Sequence, residues 1–236
     1  SGDGTVASGA YKGMKLSELW EKHPGLFGDT GMDRFPLLVK IIDAKDDLSI
    51  QVHPDDAYAK VHENGSLGKT ECWFILDCKE NATLVAGHNA KTKEELEHMI
   101  HEGRWKEFIR EIPIMPGDFI QIDPGTVHAI KGGTLLLETQ QSSDITYRVY
   151  DYDRLSNGKP RQLHIAQSID VITVPAKSAE NSVVHTEEKE DAIQQLIRCP
   201  YYTVYRIDVE HRVETWQDKP FVLMSVVEGE GTLNGT

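Results

Sequence analysis

The sequence is poor in cysteine and contains no long apolar run. Its 236 residues include three cysteines, an odd number far below the density of a disulfide scaffold. We therefore expect Cys72, Cys78 and Cys199 to be reduced thiols in a cytoplasmic protein. No apolar stretch approaches the ~20 residues that span a bilayer. Residues 1–10 also lack the basic and apolar regions of a signal peptide, so no membrane association is predicted.

Basic residues are also scarce relative to acidic ones. Lys and Arg number 25 against 38 Asp and Glu, which gives a net charge of -13 at pH 7. Long-range repulsion therefore opposes binding to nucleic acid or to an anionic membrane. We expect a small-molecule partner, and an anionic one would require a local cluster of Lys and Arg. The composition leaves the oligomeric state open.

Strand signals dominate the central part of the chain. Short β-prone runs separated by turn residues predict strands at 37–42, 48–53, 70–78, 118–122 and 134–139. This spacing favours a sandwich or barrel and hence a mainly β protein. A helical insertion is expected near 92–111, where Thr92 and Glu95 form a capping-box pattern.

Four regions follow from these patterns. Residues 1–36 form an N-terminal segment with one short helix around Leu16 and Trp20, and residues 37–175 form the main β domain. A linker rich in Glu, Lys and Ser is predicted at 176–195. Strand patterns at 202–209 and 221–227 then indicate that 196–236 starts a second domain, whose closing strands are absent from this sequence.

Two predicted strands carry candidate metal ligands. Because strand side chains alternate between faces, Ser49, Gln51 and His53 share one face of the strand 48–53. The same period places Lys69 and Glu71 together on the next strand. An amide oxygen, an imidazole and a carboxylate are thus presented in a pattern that suits a cation.

A third segment adds a second imidazole. A predicted strand runs into a Pro124-Gly turn that presents His128 at the start of the next strand. This segment resembles the second signature of the cupin superfamily. Two imidazoles, one carboxylate and one amide oxygen suit zinc or iron(II), and the ligand set alone does not choose between them. A single strand histidine is more often a hydrogen-bonded structural residue.

Four segments together resemble type I phosphomannose isomerases in their short bacterial form. They are Gln51-Val-His-Pro-Asp55, Gly68-Lys-Thr-Glu-Cys-Trp73, Pro124-Gly-Thr-Val-His-Ala129 and the run from Glu138 to Arg154. Their order and spacing also agree, and the resemblance covers nearly the whole chain. It implies a cupin (jelly-roll) barrel with a small helical insertion and a second, partly missing cupin-like domain.

The resemblance also implies the activity and the site residues. The expected reaction interconverts mannose 6-phosphate and fructose 6-phosphate, a sugar phosphate pair, through an enediol, with one Zn²⁺ per chain. The implied zinc ligands are Gln51, His53, Glu71 and His128; the catalytic residues are Arg148, Glu138 and Lys69; the substrate-binding residues are Ser49, Lys40 and Arg154.

The chemistry of these side chains suggests roles for some of them. A guanidinium does not give up its proton, so Arg148 suits stabilising an enediolate rather than acting as a base. Glu138 is the hypothetical general base, and its alternative is a buried partner for Arg148 or Lys69. The alternative for Arg154 is an ion pair with a neighbouring Asp. The other histidines, including His164, are assigned no role.

Two other functions remain open at this point. His53, Glu71 and His128 alone form a 2-His-1-carboxylate set, as in an iron-dependent cupin oxygenase, although Gln51 would fill a further position. A non-catalytic sugar-phosphate binding module is the second alternative. The presence of Arg148 beside the other catalytic candidates weighs against it.

Overall fold

A computed structural model describes residues 3–178 and 182–234, and its backbone contacts divide the chain into two compact units. The larger unit is Leu37–Glu210, and the smaller one comprises the residues up to Pro36 and from His211 onward. Among the described residues, no helix is long and apolar enough to cross a membrane.

The larger unit contains the strands of the described chain. In order they are β1 (Leu37–Ala44), β2 (Ile50–Val52), β3 (Glu71–Cys78), β4 (Thr83–His88), β5 (Ile109–Pro113), β6 (Asp118–Ile122), β7 (His128–Ala129), β8 (Thr134–Gln141), β9 (Tyr147–Tyr150), β10 (Leu155–Ser156), β11 (Lys159–Pro160), β12 (Val183–His185), β13 (Ala192–Arg198) and β14 (Thr203–Asp208). The five strands predicted in the main domain are all found, and the one at 48–53 is shorter than expected.

Most of these strands form two antiparallel five-stranded sheets. The first sheet has the order β1-β8-β3-β6-β12, and the second has the order β5-β4-β7-β2-β9. Two hairpins, β10-β11 and β13-β14, stand apart from them. The strands of each sheet therefore come from distant parts of the chain, which brings residues far apart in sequence onto shared faces.

The inner faces of the two sheets share one apolar core. Trp73 and Ile75 of β3 and Leu136 of β8 pack there with Leu84 and Ala86 of β4 from the opposite sheet. Each of these side chains is at most 2% exposed. Alternation along each strand decides which residues enter this core and which point outward.

The outer face of the second sheet is covered by helices. Val52 of β2 and Val149 of β9 belong to a separate apolar cluster that includes Leu96 and Ile100 of a covering helix. Because these apolar residues point outward, their strand neighbours Gln51 and Arg148 must point between the sheets. This alternation sets the position of the polar site.

The helices are short. They are α1 (Leu16–Lys22), α2 (Asp56–His62), α3 (Lys93–His101), α4 (Trp105–Phe108) and α5 (Ile165–Val171), with a 3-10 turn at Pro24–Phe27. The predicted cap of α3 is confirmed, since the hydroxyl of Thr92 accepts a hydrogen bond from the backbone N–H of Glu95 at 3.2 Å. The predicted insertion at 92–111 is too long at its end, because Ile109–Pro113 pairs with β4 as a strand.

The predicted linker at 176–195 is partly structured. Within it, Val183–His185 pairs with β6 along the edge of the first sheet, and Val183 packs against the core. His185 Nδ1 also lies 2.6 Å from a carboxylate oxygen of Asp118. Only one of the three side chains of this strand faces the core, so the segment lacks the apolar pattern of a strand and its acidic composition predicted a linker. Residues 179–181 lie outside the described residues.

The region 196–236, predicted to start a second domain, is divided between the two units at Glu210. The strand expected at 202–209 is found as β14, paired with β13. The strand expected at 221–227 is not found, since these residues have no strand partner in the described part of the chain and remain irregular. A strand needs a neighbour to satisfy its backbone hydrogen-bonding groups. In the smaller unit, the Phe221 ring lies 5.4 Å from that of Phe35.

The shared core predicts a large cost for truncating one of its side chains. Leu84 is fully buried, so Leu84→Ala should lower the free energy of unfolding by about 2–5 kcal/mol through lost burial and an unfilled cavity. Urea unfolding followed by fluorescence measures this. Leu155→Ala, at a side chain 67% exposed, is the matched control and should change it by less than about 0.5 kcal/mol. Equal effects would contradict the burial assignment.

Candidate metal centre

Three side chains of the types that can bind a metal ion meet between the sheets. His53 follows β2, Glu71 begins β3 and His128 begins β7. The ring centroids of the two histidines are 4.8 Å apart. His53 Nε2 lies 3.4 Å from one carboxylate oxygen of Glu71, and His128 Nε2 lies 3.3 Å from the other. All three residues are buried, and their potential ligand atoms lie within 4.8 Å of one another.

Gln51 adds a fourth group to this cluster. It pairs directly with His128 across β2 and β7, and its side-chain nitrogen lies 3.2 Å from His128 Nε2. Rotating the carboxamide by 180° exchanges its nitrogen and oxygen, which places an acceptor oxygen at this position. The four predicted ligands therefore converge, although their binding of a metal stays a prediction.

Backbone carbonyls fix both imidazoles in the form that a metal requires. His53 Nδ1 lies 2.8 Å from the carbonyl oxygen of Ile145, and His128 Nδ1 lies 2.8 Å from that of Thr126. A carbonyl can only accept, so each Nδ1 carries the hydrogen and each Nε2 keeps its lone pair. Burial lowers the pKa of His53 to about 4 and also lowers the pKa of His128. Both rings are therefore neutral near pH 7.

The carboxylate of Glu71 is ionised and poorly satisfied. Burial acts to raise its pKa, but the positive charge of Lys69 outweighs burial and holds the pKa of Glu71 well below its usual range. Among the residues that the structure describes, none donates a hydrogen bond of regular geometry to either carboxylate oxygen, although Lys69 Nζ lies 2.8 Å from one of them. Buried anions require a compensating cation. Neutral imidazoles around an unsatisfied carboxylate fit a divalent metal ion.

The predicted catalytic residues Lys69 and Glu138 have different neighbours. Lys69 Nζ is also 3.1 Å from His53 Nε2. One oxygen of Glu138 is 2.6 Å from Lys40 Nζ, and the other accepts a hydrogen bond from the Trp73 indole at 3.3 Å. The ion-pair partner of Glu138 is thus Lys40, rather than Lys69 or Arg148 as the alternative interpretation expected. Strand register explains this, since Lys40 and Glu138 are direct neighbours across β1 and β8.

Arg154 is bound within the protein. Its guanidinium lies 2.6 Å from a carboxylate oxygen of Asp151 and also donates to the carbonyl oxygens of Asp151 and Asp47. The ion-pair alternative for this residue is therefore confirmed. Contact of Arg154 with the substrate stays a prediction that this geometry does not favour.

A cleft of about 370 Å³ opens beside the cluster. Its lining consists of Leu48, Ser49, Gln51, Asp144, Thr146, Arg148, Arg161 and His164. Ser49 and Arg148 were predicted at the site, whereas Arg161 and His164 were not. The sequence feature that could have indicated them is the Asn157-Gly158 turn. This turn reverses the chain between β10 and β11, after which the chain returns to β9.

Comparisons with known proteins agree with this arrangement. Residues 1–74 match the family model of the phosphomannose isomerase type I catalytic domain, and residues 192–236 match that of the mannose-6-phosphate isomerase cupin domain. The chain is 54% identical to mannose-6-phosphate isomerase ManA of Bacillus subtilis over 99% of its own length and 74% of that protein. It is 47% identical to a Streptococcus mutans mannose-6-phosphate isomerase over 99% of its length and 73% of that protein.

A solved structure supports the fold. The crystal structure of a Bacillus subtilis mannose 6-phosphate isomerase superposes with a TM-score of 0.82 at 48% identity, covering 92% of this chain and 69% of that one. Together with the cupin-domain match, this confirms the mainly β, cupin-type fold that the sequence predicts.

The cluster predicts that metal binding depends on His128. Losing an outer hydrogen-bond partner of a metal ligand already costs roughly 10- to 100-fold in affinity, so His128→Ala should cost at least as much. Titration of the dialysed protein with Zn²⁺ or Fe²⁺ measures this. His98→Ala on the exposed side of α3 is the matched control and should leave the affinity unchanged. Retention of wild-type affinity by His128→Ala would rule out this centre.

Proposed function

This chain belongs to the type I phosphomannose isomerase family, and we propose that its buried His-Glu-His cluster is the metal centre of a mannose-6-phosphate isomerase. The reaction interconverts mannose 6-phosphate and fructose 6-phosphate by moving a proton between C2 and C1 of the open-chain sugar. The observation that carries this proposal is the meeting of His53, Glu71 and His128 beside a cleft that contains Arg148. The high identity to curated isomerases over nearly the whole chain supports the same activity.

Zinc is the proposed metal, with one ion per chain. Two neutral imidazoles, one carboxylate and the amide oxygen of Gln51 supply four nitrogen and oxygen ligands, and zinc sites are commonly four-coordinate with such donors. When bound, the ion would polarise the sugar oxygens as a Lewis acid. Lys69 beside Glu71 helps to hold that carboxylate in place.

The proposed roles of the remaining residues follow from their surroundings. Arg148 Nε is buried without a hydrogen-bond partner in the described chain, and burial lowers the pKa of this guanidinium, with Arg161 adding to the effect. A partly desolvated cation of this kind stabilises negative charge on an enediolate. Glu138 is the proposed base that removes the C2 proton and returns it at C1. Lys40 orients that carboxylate, and Ser49 lines the substrate cleft.

Two further predictions from the sequence belong to this proposal. Residues 196–236 would begin a second cupin-like domain after a linker that ends near 195, which is supported by the cupin-domain match at 192–236. A cytoplasmic location would suit the three cysteines, all of which are free thiols. An iron-dependent oxygenase is less well supported, because Gln51 adjoins His128 where an oxygenase keeps an open position.

The isomerase assay with and without chelator tests the proposed activity. Fructose 6-phosphate formation from mannose 6-phosphate should fall to background after chelation and return on addition of Zn²⁺, because the proposed site would be emptied and then refilled. Metal analysis and oxygen uptake on the same preparation are the controls. Stoichiometric iron with oxygen consumption would favour the oxygenase, and tight sugar-phosphate binding without turnover would favour a binding module.

Replacing the proposed base tests the role of Glu138. Glu138→Gln should lower kcat by about 100-fold or more with little change in KM, because the amide cannot accept the C2 proton. Steady-state kinetics on the zinc-loaded protein measure both constants. Glu111→Gln, which removes another ion-paired carboxylate on β5, is the matched control and should leave kcat near wild type. A kcat within about threefold of wild type for Glu138→Gln would remove this residue from the role.

A further inference from the structure

One end of the cleft carries basic groups that no step above uses. Gln51 pairs with His128 on one side and with Arg148 on the other, so these three residues lie on successive strands β7, β2 and β9. Neighbouring strands are about 4.8 Å apart, which places the backbones of His128 and Arg148 roughly 10 Å from each other. His164 extends the row, since its backbone N–H donates to the carbonyl oxygen of Arg148 at 2.8 Å.

We propose that Arg161 and His164 form the subsite that binds the phosphate group of the substrate, at the end of the cleft away from the metal ligands. This inference rests on the proposed function, because it assumes that the ligand is a phosphate monoester of an open-chain sugar. The reacting carbons and the phosphate lie at opposite ends of such a molecule. The row from His128 to His164 separates two polar ends in the same way.

Arg161 is held in a fixed orientation that suits an anion. Its Nε and one terminal nitrogen lie 2.7 and 2.5 Å from the two carboxylate oxygens of Asp151, whose side chain is 5% exposed. The Arg161 side chain itself is 40% exposed and lines the cleft. A guanidinium gripped along one edge keeps its remaining nitrogen in a defined position, so little side-chain entropy is lost when it binds a phosphate oxygen.

His164 supplies a neutral donor beside this cation. The backbone N–H of Arg148 donates to His164 Nδ1 at 3.2 Å, so the ring hydrogen of the neutral imidazole is on Nε2. Burial lowers the pKa of His164, and the charge of Arg148 adds to this effect, so the ring stays neutral near pH 7. Nε2–H is therefore free to donate to an anion when the ring is neutral.

The charges around the cleft favour an anion at this end. Asp151 binds both Arg154 and Arg161, so one carboxylate faces two guanidinium groups and leaves an excess of positive charge. Arg148 adds a third cation nearby, and burial together with the charges of Arg161 and Arg154 lowers the pKa of its guanidinium. Asp144 also lines the cleft and opposes an anion there, but it is one carboxylate against this group of cations.

The other candidate phosphate ligands have competing partners. Lys69 contacts Glu71 and Lys40 contacts Glu138. Arg154 binds Asp151 and the carbonyl oxygen of Asp47, and it is not among the residues that line the cleft. Arg161 therefore replaces Arg154 as the basic residue expected to contact phosphate.

Arg161→Gln in the zinc-loaded full chain tests this subsite. Loss of a charge-assisted hydrogen bond should raise KM for mannose 6-phosphate by about 10- to 100-fold, with kcat changed by less than about threefold. Isothermal titration with inorganic phosphate, a readout independent of turnover, should show a similar loss. Arg104→Gln, at an exposed ion pair on the helical insertion, changes net charge equally and should leave both values near wild type.

Further variants make the outcome decisive. Asp151 keeps Arg154 as a partner in Arg161→Gln, so the fold should persist, and thermal melting checks this. Three outcomes would each overturn the subsite. They are wild-type phosphate affinity and KM in Arg161→Gln, equal losses in Arg104→Gln, and a larger rise in KM for Arg154→Gln than for Arg161→Gln. If the wild-type chain did not isomerise the sugar phosphate, the proposed function would fail, whereas the phosphate titration would still test Arg161.

Discussion

The carboxylate of Glu71 is the constraint on which the rest of the site depends. It is ionised, fully buried and faces two neutral imidazoles, with Lys69 as its nearest cation. Such a group costs several kcal/mol unless a cation and oriented donors compensate for lost hydration. Carbonyl oxygens already occupy Nδ1 of each histidine, so neither ring can turn a hydrogen toward Glu71 and remain neutral. A divalent ion would satisfy the carboxylate and both imidazole lone pairs together.

The two-sheet architecture makes this burial possible. Apolar residues of the second sheet, such as Val52 and Val149, point outward beneath the helices, and the alternate positions point inward. Polar side chains therefore enter the space between the sheets only where strand period and register place them. The pairing of β2 with β9 thus holds Gln51 and Arg148 side by side.

Strand alternation was enough to predict much of this arrangement, because it is a local property of the chain. It placed Gln51 with His53 and Lys69 with Glu71 on shared faces, and the structure has them so. Contacts that depend on which strands pair, and in which register, could not be predicted from alternation. Lys40 meets Glu138 across 98 residues, and the edge strand at Val183–His185 depends on the free edge of β6.

The sequence also could not show which of two neighbouring arginines, Arg154 or Arg161, lines the cleft. Both residues follow Asp151 within ten positions, and both bind its carboxylate. Only the hairpin β10-β11 turns Arg161 back toward the cleft, while Arg154 is fixed by carbonyl oxygens outside it. Because the chain has a net charge of -13, binding of an anionic substrate requires positively charged side chains close to the binding site. Because Lys69 and Lys40 are paired with carboxylates, the proposed subsite assigns that attraction to the arginines, at the end of the cleft away from His128.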